Sequence, residues 1–154
     1  MNQTIIVNDV GPRDGLQNQR KILEPGQRLQ LIGALLDAGM KHIEVGAFVS
    51  PKAVPAMAGA DRILAGLPHR ADVQFTTLVP NLKGFELARD AGAKSVSMVL
   101  YASEGMAQKN ARMSRAQAED DTIRILSLAR AAGIRVTATV SVAFECPFDG
   151  KVDP

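Results

Sequence analysis

Short apolar, partly β-branched runs recur along the chain at 4–9, 42–46, 73–79, 96–101 and 134–143. They are too continuous for strands with one wet face, so the pattern predicts strands buried on both faces, as in a parallel sheet. Between the runs the apolar period becomes helical. Leu29, Ile32, Leu35 and Leu36 form one stripe, and Ile63, Leu64 and Leu67 a second. Leu82, Phe85 and Ala88 form a third, and Ile125, Leu128, Ala129 and Ala132 a fourth.

The punctuation agrees with this alternation. Pro25 and Pro55 suit first-turn helix positions, where a missing N–H costs little. Ser114-Arg115-Ala116-Gln117 fits a capping box, with Glu119, Asp120 and Asp121 placing negative charge early in the helix. Ala38-Gly39, Ala91-Gly92 and Ala132-Gly133 each end a helical stripe just before a strand, where glycine supplies a left-handed cap. The helix–Ala-Gly–strand unit is an internal β/α repeat, and residues 1–154 read as part of a single domain with no internal boundary. Two architectures fit: an open doubly wound sheet or a (β/α)8 TIM-type barrel. A dinucleotide fold would carry Gly-x-Gly-x-x-Gly after the first strand. The turn here is Gly11-Pro12-Arg13-Asp14-Gly15, so the barrel is preferred. A whole barrel needs about 250 residues. The 154 residues here supply about the first half of one.

Composition narrows the function classes. With 46% apolar and 22% charged residues the chain is globular, and no apolar run is long enough to span a bilayer. No signal or transit peptide is visible. Net charge is +2 with scattered basic residues, which argues against a nucleic-acid face. The single cysteine, Cys146, excludes an intrachain disulfide and suits a cytoplasmic location.

In a barrel, the loops at the carboxyl ends of the strands build the active site. Arg13, Asp14 and Gln17 follow the first strand. Glu44 is late in the second, ahead of Phe48-Val49-Ser50-Pro51-Lys52. Asn81 and Lys83 follow the third, Ser103 and Glu104 the fourth, and 145–150 the fifth. Asp14 suits a hard divalent cation. Arg13 is permanently cationic and can stabilise charge developing on a carbonyl oxygen. A structural Arg–Asp pair is the competing reading. Glu44 needs a partner in a buried strand, which Arg13 or a metal can supply, although a purely structural salt bridge also fits. Gln17, Ser50 and Asn81 are candidate substrate contacts, although an Asn at such a position more often caps the following helix than binds substrate, and Ser50 has the same alternative as an N-cap before Pro51. Lys52 and Lys83 read as solvated side chains that could meet a phosphate. Cys146 reads as a packed thiol rather than a nucleophile. His42 and His69 fall on the opposite face, away from Asp14.

Val10-Gly11-Pro12-Arg13-Asp14-Gly15-Leu16-Gln17-Asn18 resembles the opening motif of the hydroxymethylglutaryl-CoA lyase family. The similarity continues through Ile43-Glu44-Val45 and Phe48-Val49-Ser50-Pro51-Lys52. It runs on through Val79-Pro80-Asn81-Leu82-Lys83-Gly84-Phe85-Glu86, then Ser103-Glu104 and Lys109-Asn110, to Cys146-Pro147-Phe148-Asp149-Gly150-Lys151. The resemblance implies a metal-dependent barrel that cleaves 3-hydroxy-3-methylglutaryl-CoA into acetoacetate and acetyl-CoA in leucine degradation. It implies Asp14 as a ligand to Mg²⁺ or Mn²⁺, Arg13 as the group steadying the enolate oxygen, and Glu44 as support for both. The family's other metal ligands, a His-x-His pair and an asparagine, and its catalytic cysteine have no counterpart within these residues. The chain alone is therefore expected to be inactive. The expected partner is an acyl-CoA substrate, with neither nucleic acid nor membrane, and a homo-oligomer, a dimer, is expected; in the inactive half-barrel reading a second copy would cover the open sheet edges. Competing readings are an inactive half-barrel serving as an interaction module and a related acyl-CoA lyase or Claisen-type synthase.

Overall fold

A computed structural model describes residues 5–153. Strands and helices alternate as β1 (Asn8–Asp9), α1 (Pro25–Asp37), β2 (His42–Ala47), α2 (Ala60–Gly66), β3 (Gln74–Leu78), α3 (Leu82–Asp90) and β4 (Ser95–Tyr101). There follow a short α4 (Glu104–Met106), the long α5 (Arg115–Ala132), β5 (Arg135–Ser141) and a hairpin of β6 (Glu145–Cys146) and β7 (Gly150–Lys151). β1 to β5 form one parallel sheet in strictly sequential order. A doubly wound sheet reverses direction at a switch point, and this one does not. It is the first half of a (β/α)8 barrel.

The helix boundaries follow from local chemistry. Ser114 caps α5 by accepting from the Gln117 amide while the Gln117 side chain accepts from the Ser114 amide. Glu24 and Gln27 form the same reciprocal box before α1, with Pro25 in its first turn. Gly39, Gly92 and Gly133 all take positive φ, the left-handed conformation expected after each Ala-Gly pair.

The sheet has two unlike faces. Outward-facing side chains are apolar. Ile43 and Val45 pack with Ile32 and Ile63, while Val79, Val96 and Met98 pack with Phe85, Ala88, Ile125 and Ala129. The inward row instead holds Glu44, Gln74, Thr76, Ser95 and Ser97, joined by hydrogen bonds that include Thr76 Oγ1 to Ser95 Oγ at 3.1 Å. Both faces of β2 are buried, as expected, and so are Thr76 and Ser95 of the inner row. Period-2 alternation is present, but its polar phase sits inside.

The two edge strands depart furthest from expectation. Of the first apolar run only Asn8–Asp9 pairs, and Ile5, Ile6 and Val7 are exposed; Thr4 lies outside the described residues. β5 is largely exposed, with Val136 half-buried against the outer core. Each is an edge with one neighbour, so its inner face meets no opposing wall among the described residues. On the outer face of α5, Leu128 and Ala132 are likewise exposed, leaving Ala118, Thr122, Ile125 and Ala129 as its buried stripe.

Candidate active site

The chemistry gathers where β1 hands over to its turn. Asp9 accepts from the Gly11 amide at 2.9 Å, which starts the turn. The Val10 carbonyl then accepts from the amides of Arg13, Asp14 and Gly15. This wide turn, with Pro12 buried beneath it, directs Arg13 over β2 and leaves Asp14 outside. Arg13 donates from Nε to Glu44 Oε1 at 2.7 Å and from Nη1 to Asp14 Oδ1 at 2.6 Å. The side chains of Arg13 and Glu44 are 16% and 6% exposed, whereas that of Asp14 is 61% exposed. Arg13 Nη2 has no hydrogen bond among the described residues.

A β-bulge lies immediately after Glu44. The β2–β3 register shifts between Glu44 and Gly46, so Val45 is the extra residue. Ile43 and Val45 both reach the outer core, and Glu44 is turned inward. Arg28 holds the bulge from behind. It is fully buried and donates to the carbonyls of Val45, Ala56 and Ala58. Burial lowers its pKa, but a guanidinium stays charged. A Cβ at Gly46 would come to 3.0 Å from Arg28 Nη2, so this close approach favours glycine.

The other candidates lie apart from this cluster. Asn81 Oδ1 accepts from the Gly84 amide at 2.9 Å and caps α3, the alternative read from the sequence. Ser50 opens a turn through its carbonyl, which accepts from Ala53 and Val54. It caps no helix, so the N-cap expected at Ser50 is not formed. Gln17 is half-buried and makes no hydrogen bond with Arg13, Asp14 or Glu44. Lys52 is exposed, and Lys83 pairs with Glu86 at 3.6 Å. His42 and His69 line a cavity of about 570 Å³ at the amino ends of the strands, on the face opposite Asp14.

Cys146 is buried under the β6–β7 hairpin. Burial pushes its thiol up, but bonds from the Ser103 hydroxyl and the Phe148 and Asp149 amides outweigh this and leave it below the ordinary value. Asp149 fastens the hairpin by accepting from the Gly105 amide at 2.6 Å.

Sequence reasoning missed two participants. Arg28 was hidden because a helix arginine ordinarily reads as solvated. Ser97 Oγ lies 3.3 Å from Glu44 Oε1. Alternation along β4 could have placed Ser97 inside, but only the sheet register shows that it faces Glu44. As for a cation, no group of three or more His, Cys, Asp or Glu is positioned to hold one among the described residues. Hard divalent ions take about six oxygen ligands. Asp14 alone, with one oxygen on Arg13, does not make such a site.

A sequential parallel half-barrel, with a held arginine and an exposed carboxylate in the turn after its first strand, defines the class as the first half of a TIM-type barrel. The HMGL-like family matches residues 4–154, and the chain belongs to that family. It is 45% identical to the hydroxymethylglutaryl-CoA lyase of Pseudomonas mevalonii, over 99% of this chain and 50% of that protein. It is 41% identical to the (R)-citramalyl-CoA lyase of Chloroflexus aurantiacus, over 99% of this chain and 51% of the relative. The structure of an HMG-CoA lyase from Acinetobacter baumannii, in complex with coenzyme A and 3-methylmalate, superimposes with a TM-score of 0.89. It is 34% identical over 96% of this chain and 48% of that one. The chain thus spans about half the length of the relatives it matches.

Proposed function

We propose that this chain supplies the enolate-stabilising corner of an acyl-CoA lyase that cleaves 3-hydroxy-3-methylglutaryl-CoA into acetoacetate and acetyl-CoA. The observation that carries the reading is Arg13, fixed through Nε by a buried carboxylate, with no hydrogen bond at Nη2 among the described residues. In this reaction the 3-hydroxyl loses its proton and becomes the ketone of acetoacetate. The C2–C3 bond breaks, its electron pair passes to the thioester as an enolate, and C2 takes up a proton to give acetyl-CoA. A guanidinium already held in place lowers the cost of the developing oxyanion without reorganising during the step. Glu44 holds Arg13 from β2, and orienting contacts of this kind matter nearly as much as the contacts to substrate. Asp14 would supply one oxygen to Mg²⁺ or Mn²⁺, with the remaining ligands from outside the described residues. Gln17, Ser50 and Asn81 rim the same end of the sheet as candidate acyl-CoA contacts. A place in leucine degradation, a cytoplasmic location and a homodimer belong to the same reading. No helix among the described residues is long and apolar enough to cross a membrane.

The citramalyl-CoA relative favours one second reading: the same bond cleavage on a different acyl group. A chimera separates the two. Residues 1–154 are joined to the half of the Pseudomonas mevalonii lyase that they do not cover. Acetyl-CoA release is then followed with each acyl-CoA in the presence of Mg²⁺ or Mn²⁺. Release from 3-hydroxy-3-methylglutaryl-CoA, abolished in Arg13→Gln, is expected. A folded chimera that releases acetyl-CoA from neither substrate would overturn the proposal.

A further inference from the structure

We infer that Ser97 is a positioning residue for Arg13, acting through Glu44; this rests on the lyase reading for its catalytic meaning, though not for its geometry. Glu44 Oε1 accepts two hydrogen bonds from elements that are distant in sequence. Arg13 Nε approaches at 2.7 Å from the turn after β1, and Ser97 Oγ at 3.3 Å from β4. The two donors reach a single carboxylate oxygen from opposite sides of β2. One bond would leave the carboxylate free to swing about its terminal torsion, which is broad and roughly two-fold. A second donor from a rigid strand narrows that swing and, with it, the position of the guanidinium.

The placement of Ser97 follows from its neighbours. Val96 and Met98 are buried in the outer core, so strand alternation turns Ser97 inward. Its own backbone is locked on both sides: the Ser97 carbonyl accepts from Val79 at 2.8 Å, and Ser97 pairs in register with Thr137 of β5. The hydroxyl is therefore delivered to Glu44 by a strand in mid-sheet rather than by a loop. It is also neutral. A cation at this position would compete with Arg13 for the carboxylate, and a second carboxylate would repel it. A hydroxyl orients Glu44 while leaving its charge to Arg13.

The test uses the chain itself, residues 1–154, and reads the exchange of the Arg13 Nε–H proton by ¹H–¹⁵N NMR, assigned through Arg13→Lys. Thr and Val share one shape and differ by the hydroxyl, so Ser97→Thr and Ser97→Val form the decisive pair. Should Val crowd the interior, Ser97→Ala keeps the same comparison. The Val or Ala variant is expected to exchange the Arg13 proton about threefold faster or more, the scale of one lost hydrogen bond, while Thr restores the wild-type rate. Equal rates in all variants, with core amides of β2 and β4 still protected, overturn the inference. In the chimera, kcat falls in Ser97→Val and returns in Ser97→Thr, while KM for the acyl-CoA stays constant. A chimera that is inactive before any change at Ser97 refutes the lyase reading instead, and the exchange measurement still decides the role of Ser97.

Discussion

Arg13 and Glu44 stand 31 residues apart in the chain and meet through a 2.7 Å charge-assisted hydrogen bond between the turn after β1 and a bulge in β2. Such bonds are roughly twice as strong as neutral ones. Replacing Arg13 by Gln removes the cation and its Nη2 together. In the chimera, kcat should fall by about 10²–10³, the scale seen when one oxyanion donor is removed. Lysine should rescue poorly, because a point charge cannot hold Glu44 and a substrate oxygen in one fork. Unchanged turnover in Arg13→Gln would remove the role assigned to it.

Asp14 offers a cation one carboxylate, 61% exposed and already shared with Arg13. The chain alone should therefore bind Mg²⁺ or Mn²⁺ only weakly. Titration calorimetry showing micromolar affinity that disappears in Asp14→Ala would contradict this.

Arg28 is the structural counterpart of Arg13. Its buried guanidinium ties the carbonyl of Val45 to those of Ala56 and Ala58, joining the bulge to the loop after β2. Arg28→Ala leaves two buried carbonyls and one part-buried one without this donor and opens a cavity. Urea denaturation should show a loss of about 3 kcal/mol or more. A loss below about 1 kcal/mol would mean that water replaces the guanidinium without penalty.

Gly84 permits close contact between the loop after β2 and the start of α3. A Cβ there would lie 2.7 Å from both the Phe48 carbonyl and Pro80 Cδ. Gly84→Ala should destabilise by about 1–3 kcal/mol through overpacking, despite the better helix propensity of alanine. Asn81→Ala should cost about 1 kcal/mol through the lost cap. Thermal unfolding distinguishes the two, since a gain in stability for Gly84→Ala would show that the loop simply moves.

The response to acid follows from two surface carboxylates. Bonds from Arg70 and then Lys41 hold Asp72 far below its ordinary value of 3.8. The Arg115 amide, then the Gln108 side chain, lower Glu104 from 4.5. A depressed folded-state pKa contributes stability that is fully present above the unfolded value and lost as pH falls through the folded one. Stability should therefore decline as pH drops below about 4. Asp72→Asn should flatten that decline, and added salt should weaken the effect at these exposed sites. An acid limb identical in wild type and Asp72→Asn would count against it.

Much of the fold was legible in the order of residues because its determinants are local. The left-handed glycines at 39, 92 and 133, the Ser114 box and the helical stripes each act within a few residues, so they could be read without knowing what lies nearby. The candidate site was legible for a similar reason: Arg13 and Asp14 are adjacent, and a carboxylate between Ile43 and Val45 calls for a partner. Which partner it finds is not a local matter. The bulge at Val45, the buried Arg28 behind it, the polar inner row and the hydroxyl of Ser97 all depend on contacts between elements, 17 to 53 residues apart in sequence. So does the exposure of β1 and β5, which are edges only because of their places in the sheet. Local chemistry thus determined the elements, the inward aim of Glu44 and the candidate members of the ion pair, whereas long-range pairing alone decided which groups hold that carboxylate.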